Sequence, residues 1–222
     1  MRTYKGAIFD LDGTLLDSMN VWRQIDVEFL AKRGFEVPQD YLEAITPLGV
    51  KAAADYTIAR FGLHEQPEDL IAEWLSMARD AYAHTVPLKP LVKEYLEQLK
   101  RLGIGVAAAT SSERELMIPA LKRTGIYEYF DAIVTVSEVA RGKKFPDIYE
   151  EAAARISQKA DACVVYEDII EGIRSANVGG FLTVGVYDPE SEFQRKAIVQ
   201  ESDVYIRGYE ELLDQHRKAY CF

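Results

Sequence analysis

Asp10 and Asp12 stand two residues apart at the end of a short apolar run, Gly6-Ala7-Ile8-Phe9, and Gly13 follows Asp12 at once. The run reads as a buried β-strand. Residues i and i+2 of a strand point to one face, so the two carboxylates share a side if the strand continues that far. Two acidic groups that close raise each other's pKa unless a cation or hydrogen-bond donors compensate. Alone, the pattern admits a bland reading, a strand running into an Asp-Gly turn, as readily as a chemical one. Other residues capable of chemistry also follow apolar runs. Thr110, Ser111 and Ser112 follow residues 104–109, Lys143 and Lys144 lie beyond residues 132–136, and Glu167 and Asp168 follow residues 162–166.

Taken together these residues have a definite repertoire. The carboxylates can hold a hard, oxygen-loving cation, and Mg²⁺ is usually bound by one or two carboxylates with waters and a substrate phosphate. A lysine and hydroxyls suit a phosphate, as positive charge and hydrogen-bond donors. An aspartate can attack phosphorus and split hydrolysis into two easier steps through an acyl phosphate. A second carboxyl group beside it can protonate the leaving oxygen and then take a proton from water.

Such chemistry requires the strand ends to meet. From about residue 21 to residue 75 the sequence has helical spacing only. Val21, Ile25 and Phe29 form one stripe, widened by Trp22 and Leu30 and stopped by Gly34. Val50, Ala54, Ile58 and Phe61 form a second, closed by Gly62, and Pro67 with Glu68 and Asp69 opens a third helix. Its face is Leu70 or Ile71, Trp74 or Leu75, Ala78 and Tyr82. Three or four helices are thus inserted after the first strand. From Pro87 onward helix and strand alternate: a helix from Pro90 to Gly103, a strand at 104–109, and a helix toward Gly125 that Pro119 kinks or delays. Further strands are expected at 132–136, 162–166, 182–186 and 204–206, and a last helix carries Leu212 and Leu213. Buried strands alternating with helices mean a parallel sheet covered on both faces. Ligands of such sheets bind at the carboxyl ends of the strands, near a topological switch point.

The residues now resemble a known family. Asp10-Leu11-Asp12-Gly13-Thr14 is similar to the first motif of the haloacid dehalogenase-like hydrolase superfamily, and Ala109-Thr110-Ser111-Ser112 resembles its second. Gly142-Lys143-Lys144-Phe145-Pro146-Asp147 resembles the third, and Val165-Tyr166-Glu167-Asp168 with Gly172-Ile173 the acidic fourth. The four occur in family order over almost the whole chain, from Lys5 to about Gly185. The resemblance implies an α/β fold, a three-layer Rossmann-like parallel-sheet core of residues 1–17 and 84–222 with a small α-helical cap domain of residues 18–83. It implies a Mg²⁺-dependent phosphatase acting on a small phosphorylated substrate. Asp10 is then nucleophile and metal ligand, and Asp12 general acid/base with its main-chain carbonyl on the metal. Thr110 and Ser111 bind the phosphoryl group, Lys143 pairs with Asp10 and the phosphate, and Asp168 holds Mg²⁺. Glu167 touches the ion, acts through water, or shapes the acidic end. The spacing selects Lys143 and leaves Lys144 solvated; the roles of Asp17 and Ser18 stay open.

The insertion resembles the helical cap of the subfamily containing phosphoglycolate phosphatase and β-phosphoglucomutase. A cap excludes water when it closes over a site, and Arg23 and Lys51 are charged residues on its helices. A dehalogenase of the superfamily lacks the second aspartate, so Asp12 argues against that reaction. Mutases tend to have valine where Thr14 stands and a histidine near Trp22, and both departures favour hydrolysis over transfer. A phospho-acceptor regulatory or binding domain without turnover is the alternative of another class, but a receiver module has about half this length and no helical insertion.

Composition narrows the partners. The formal net charge of −10 argues against nucleic acid, since phosphate backbones need a basic surface; it does not argue against a small phosphate ester, whose field is set locally. No run of ~18 apolar residues suggests a membrane span, and the start does not read as a signal peptide. Cys163 and Cys221 are too few for a disulfide framework, which fits a cytoplasmic location. A monomer or small homo-oligomer is expected.

Overall fold

The architecture is that of a computed structural model, which describes residues 4–45, 48 and 50–216; Cys221 lies outside them. Six strands form one parallel sheet in the order β3-β2-β1-β4-β5-β6. They are β1 (Gly6–Phe9), β2 (Gly105–Thr110), β3 (Ala132–Thr135), β4 (Cys163–Glu167), β5 (Leu182–Val186) and β6 (Val204–Ile206). The register sets Phe9 beside Ala108 on one side and Tyr166 on the other. The strand pattern of the sequence is thus recovered to within a residue or two at each end.

Alternate strand residues feed two different layers, as a period of two requires. Ile8, Ala107, Ala109 and Val165 belong to a core cluster with Ile148, Tyr149 and Ala152 of α7 (Asp147–Arg155) and Ala176 of α8 (Ile170–Val178). On neighbouring positions Phe9 stacks on Tyr166 at 4.2 Å and meets Tyr95 of α5 (Val92–Arg101) edge-on at 6.3 Å. The hydroxyls of this aromatic layer are not stranded: Tyr95 and Tyr166 share a hydrogen bond of 2.6 Å, and Tyr4 and Tyr95 one of 3.3 Å. Burying rings of this size contributes about 1.5–3 kcal/mol each.

The chain divides into two compact units, Met1–Ser18 with Val86–Phe222, and Met19–Thr85. The second is all-helical: α1 (Met19–Ala31), α2 (Gln39–Ile45), α3 (Val50–Phe61) and α4 (Pro67–His84). Helix α4 buries Leu70, Trp74, Ala78 and Tyr82, the first of the alternatives its spacing allowed, and Trp74 meets Phe29 of α1 edge-on at 5.4 Å. Arg33, just beyond α1, lies 3.7 Å above the Phe29 ring and bonds Glu65 and Glu73 at 2.7 Å. Two expected stripe residues are outside: Trp22 is 41% exposed and Val50 51%. In α3 it is Thr57, not Ile58, that is fully buried, because its hydroxyl bonds the Ala53 carbonyl at 2.7 Å and the Tyr41 hydroxyl at 2.9 Å. No helix among the described residues is long and apolar enough to cross a membrane.

Helix starts depart further from the sequence pattern than helix faces do. Helix α5 begins at Val92, two residues after Pro90, because Leu91 takes a left-handed conformation. Helix α6 (Arg114–Arg123) carries Pro119 in its interior, five residues after its first. Helices α2 and α9 (Arg195–Glu201) had no distinct signal; α10 (Glu210–His216) follows β6 as expected.

Helix ends supply a test. At the end of α5 the N–H groups of Gly103 and Ile104 bond the carbonyls of Lys100 and Leu99, with Gly103 at φ +70°. The end of α7 has the same reversed pair of bonds, from Ser157 to Ala154 and from Gln158 to Ala153, but its left-handed position is Ser157 at φ +57°. A side chain there costs about 1–2 kcal/mol, of which glycine's greater freedom in the unfolded chain returns a part. Ser157→Gly should therefore raise the unfolding free energy by roughly 0.5–1 kcal/mol, read as a higher urea midpoint at unchanged slope. A lower midpoint contradicts the assignment of strain to this residue.

Candidate active site

The strand order places a switch point at β1. The chain builds β2 and β3 on one side of it, then crosses to build β4, β5 and β6 on the other. Connections leaving in opposite directions open a crevice at the carboxyl ends of β1 and its neighbours. Asp10 sits at that end, held by the bond from its N–H to the Tyr166 carbonyl at 3.0 Å. The strand stops there, and residues 11–16 fold into a tight turn. The N–H groups of Thr14, Leu15 and Leu16 converge on the Leu11 carbonyl, and Gly13 supplies φ +81°.

The turn sends the two carboxylates to different neighbours. Asp10, 5% exposed, receives the Lys143 ammonium on Oδ1. The same ammonium bonds Glu167 Oε1 at 2.7 Å, and that oxygen also receives the Tyr149 hydroxyl at 2.7 Å. Asp168 accepts the Thr14 hydroxyl on Oδ1 and the Ser191 hydroxyl on Oδ2, each at 3.2 Å. Asp10, Glu167 and Asp168 each offer a carboxylate oxygen within 4.8 Å of the others. The Asp12 carboxylate is not in this group. Its Oδ1 accepts the Ser18 hydroxyl at 2.6 Å and its Oδ2 the Ser112 hydroxyl.

The remaining expected residues are placed as follows. Thr110 is fully buried, and its hydroxyl oxygen accepts the Ser112 N–H at 3.0 Å. Ser111 is exposed at the tip of the same bend. Lys144 is exposed and lies 3.6 Å from Glu171, and Asp17 is exposed. Ser18 proves to be one of the two hydroxyls on Asp12. Tyr149, Ser191 and the pair Lys89–Asp188 carried no signal, since a lone tyrosine or serine inside a helix or loop looks like any other. Ser112, already marked by its place at a strand end, also bonds Asp12, a role that its position alone does not assign.

Lys143 is held from its loop's base. Residues 136–138 form a single turn after β3, in which Glu138 closes on the N–H of Thr135 at 3.1 Å. The Glu138 carboxylate also takes Arg114 and Arg155 at 2.8 Å each. Burial alone would raise this carboxyl, but Arg155, the Thr135 N–H and Arg114 hold it at about 2.

The electrostatics of the cluster are those of a site short of positive charge. Burial pushes Asp10 well above the ordinary carboxylate range; Lys143 opposes the rise, while Glu167, Asp168 and Asp12 add to it. Asp168 is pushed up to about 7, first by burial and then by Glu167. Burial would lower Lys143, yet Asp10 and Glu167 keep it above its usual value. The Tyr149 hydroxyl is raised by burial and by Glu167, so it stays a donor. Glu167 Oε2 is buried with no hydrogen-bond partner. An all-oxygen donor set, an orphaned buried oxygen and uncompensated negative charge fit a hard divalent cation.

Comparison with known proteins agrees. The family model described as haloacid dehalogenase-like hydrolase matches residues 4–180. The chain is 29% identical over 219 residues to the validoxylamine A 7'-phosphate phosphatase of Streptomyces hygroscopicus subsp. limoneus, covering 96% of this chain and 98% of that one. It is 30% identical over 183 residues to the fructose-1-phosphate phosphatase of Escherichia coli strain K12, covering 82% and 96%. Among solved structures it is similar to a β-phosphoglucomutase-like protein of Thermotoga maritima, with a TM-score of 0.84 at 22% identity over 97% of this chain and 99% of that one. At that identity the likeness shows the fold.

The acidic cluster is closely packed where Glu167 faces Gly172. A Cβ on Gly172 would stand 2.3 Å from the Glu167 carboxyl carbon, whose carboxylate Lys143 and Tyr149 already fix. Gly172→Ala should lower the unfolding free energy by about 1–3 kcal/mol and weaken divalent-cation binding. Gly142→Ala, at a glycine with nothing within 4 Å of its Cβ position, serves as control. Equal urea midpoints for the two variants contradict the close fit.

Proposed function

The chain belongs to the haloacid dehalogenase-like hydrolases, and from that premise we propose that it is a Mg²⁺-dependent phosphatase of a small phosphorylated metabolite, a sugar or polyol phosphate, working through a phospho-Asp10 intermediate. One observation carries the reading: Asp10 ends the central strand paired with Lys143, within 4.8 Å of Glu167 and Asp168. The phosphatase relatives support it and suggest the phosphorylated-carbohydrate class.

Asp10, Asp168 and the main-chain carbonyl of Asp12 would hold the cation, with Glu167 beside them. When bound, Mg²⁺ supplies positive charge to the phosphoryl oxygens. Everything else falls to the chain itself. Lys143 fixes one Asp10 oxygen, and the other attacks phosphorus. The new Asp10 O–P bond forms as the P–O bond to the ester oxygen breaks, and Asp12 gives that oxygen a proton. Water then attacks the phosphorus while Asp12 takes its proton, the Asp10 O–P bond breaks, and inorganic phosphate leaves. Thr110 and Ser111 bind the phosphoryl group from the end of β2. Ser18 and Ser112 orient the Asp12 carboxylate, which suits a group that must hand a proton to one specific atom. In this reading residues 1–17 and 84–222 carry the chemistry, residues 18–83 act as the cap that excludes water, and the enzyme is cytoplasmic.

The test is a panel of phosphate esters with Mg²⁺, including fructose 1-phosphate, hexitol phosphates, phosphoglycolate, nucleotides and hexose 1-phosphates. Phosphate release and isomer products are both monitored, so transfer is separated from hydrolysis. Release from at least one sugar or polyol phosphate is expected, with chelation stopping it and Asp10→Asn lowering it roughly 10³-fold or more. Near-normal turnover by Asp10→Asn rules out this nucleophile.

A further inference from the structure

Asp168 is gripped on both oxygens, and the two grips come from segments far apart in sequence. Thr14 reaches Oδ1 from the turn after β1, and Ser191 reaches Oδ2 from the loop after β5. One residue holds both segments. The Lys89 N–H bonds the Leu15 carbonyl at 2.9 Å, next to Thr14. Its ammonium donates to the Tyr187 carbonyl at 2.6 Å and forms an ion pair with Asp188 Oδ2 at 2.9 Å. Asp188 in turn shapes the loop: its Oδ1 accepts the Glu190 N–H at 2.9 Å, and its carbonyl accepts the Ser191 N–H at 3.1 Å.

We propose that Lys89 is a positioning residue for Asp168, acting through Asp188 and Ser191, and that it sets the cation affinity of the acidic cluster without touching cation or substrate. The inference rests on the reading of Asp168 as a cation ligand. Its physical ground is burial. The Asp188 side chain is 1% exposed and that of Lys89 12%, so removing the ammonium leaves a buried carboxylate without its partner. The loop must then move to hydrate that charge, and Ser191 moves with it. Partners one bond removed from a metal ligand change affinity by about 10–100-fold when removed. A lysine in this place needs a reason beyond stability, because a buried ion pair is often no better for folding than a well-packed apolar pair.

The test measures Mg²⁺ binding by titration calorimetry on the full chain, alongside urea unfolding without metal. Lys89→Met should weaken Mg²⁺ binding at least tenfold, and so should Ser191→Ala, which removes one hydroxyl and disturbs folding little. The double variant should bind no more weakly than Lys89→Met alone, because both substitutions break one chain of contacts. If Lys89→Met does not fold, Lys89→Arg with Ser191→Ala carries the comparison. Affinities within twofold of the parent in folded variants, or losses that add, overturn the proposal. Asp168→Asn separates the two levels. If it binds Mg²⁺ like the parent, or the parent binds none, the ligand assignment fails and the positioning role falls with it. If it abolishes binding while Lys89→Met and Ser191→Ala leave it intact, only the positioning role fails.

Discussion

A single ammonium group makes the end of this sheet possible. Lys143 bonds Asp10 and Glu167 at once, in a place where almost nothing is exposed to water. Without it three carboxylates would face one another across a few ångströms in a medium that screens poorly. The surrounding structure reads as a set of provisions for that arrangement. Glu138 pins the start of the loop that carries Lys143 by drawing in arginines from α6 and α7. Tyr149 adds a neutral donor to Glu167, and Gly172 vacates the space that the Glu167 carboxylate fills. The compensation is incomplete, since Asp10 and Asp168 still sit high, and these two carboxyl groups with Glu167 are the ones that could hold a metal ion.

Much of this was legible from residue types alone, for a definite reason. A parallel strand buried on both faces must be apolar throughout, so the polar residue that ends it stands out sharply. Asp10, Thr110 and the Glu167-Asp168 pair were visible as such breaks, and the alternation of strand and helix from Pro87 onward gave the sheet. What could not be read was the second ring of contacts. Tyr149 lies in a helix whose spacing assigns it to the core, which it also serves, and nothing in the sequence says that its hydroxyl is aimed at Glu167. Ser191 reaches Asp168 across 23 positions and Lys89 reaches Tyr187 across 98, so both contacts arise only through tertiary folding. The buried faces of the helical insertion are less legible in sequence for a related reason. A polar residue with local bonds, as in Thr57, can replace an apolar one on a buried face.

The turn after β1 separates the carboxylate pair. Two residues apart on a strand would have put Asp10 and Asp12 on one face. The strand ends at Phe9, however, and the amides of Thr14, Leu15 and Leu16, gathered on the Leu11 carbonyl, close the backbone into a turn that contains Asp12. The two carboxylates thereby acquire different surroundings, one with a lysine and two other carboxylates, the other with two serine hydroxyls. Two groups of the same chemical type are made unequal by one tight turn, and that inequality suits the separate roles of nucleophile and proton carrier proposed for them.

Trp22 and Trp74 are the only tryptophans of the chain, and both belong to the helical unit, one 41% exposed and the other 5%. The sheet unit has none and is instead rich in buried tyrosine. Light absorbed near 295 nm, an approximate wavelength at which tyrosine hardly absorbs, therefore interrogates the helical unit alone. The chain carries a built-in optical reporter of its helical unit, whose loosening, solvent entry and recovery can be followed without any label.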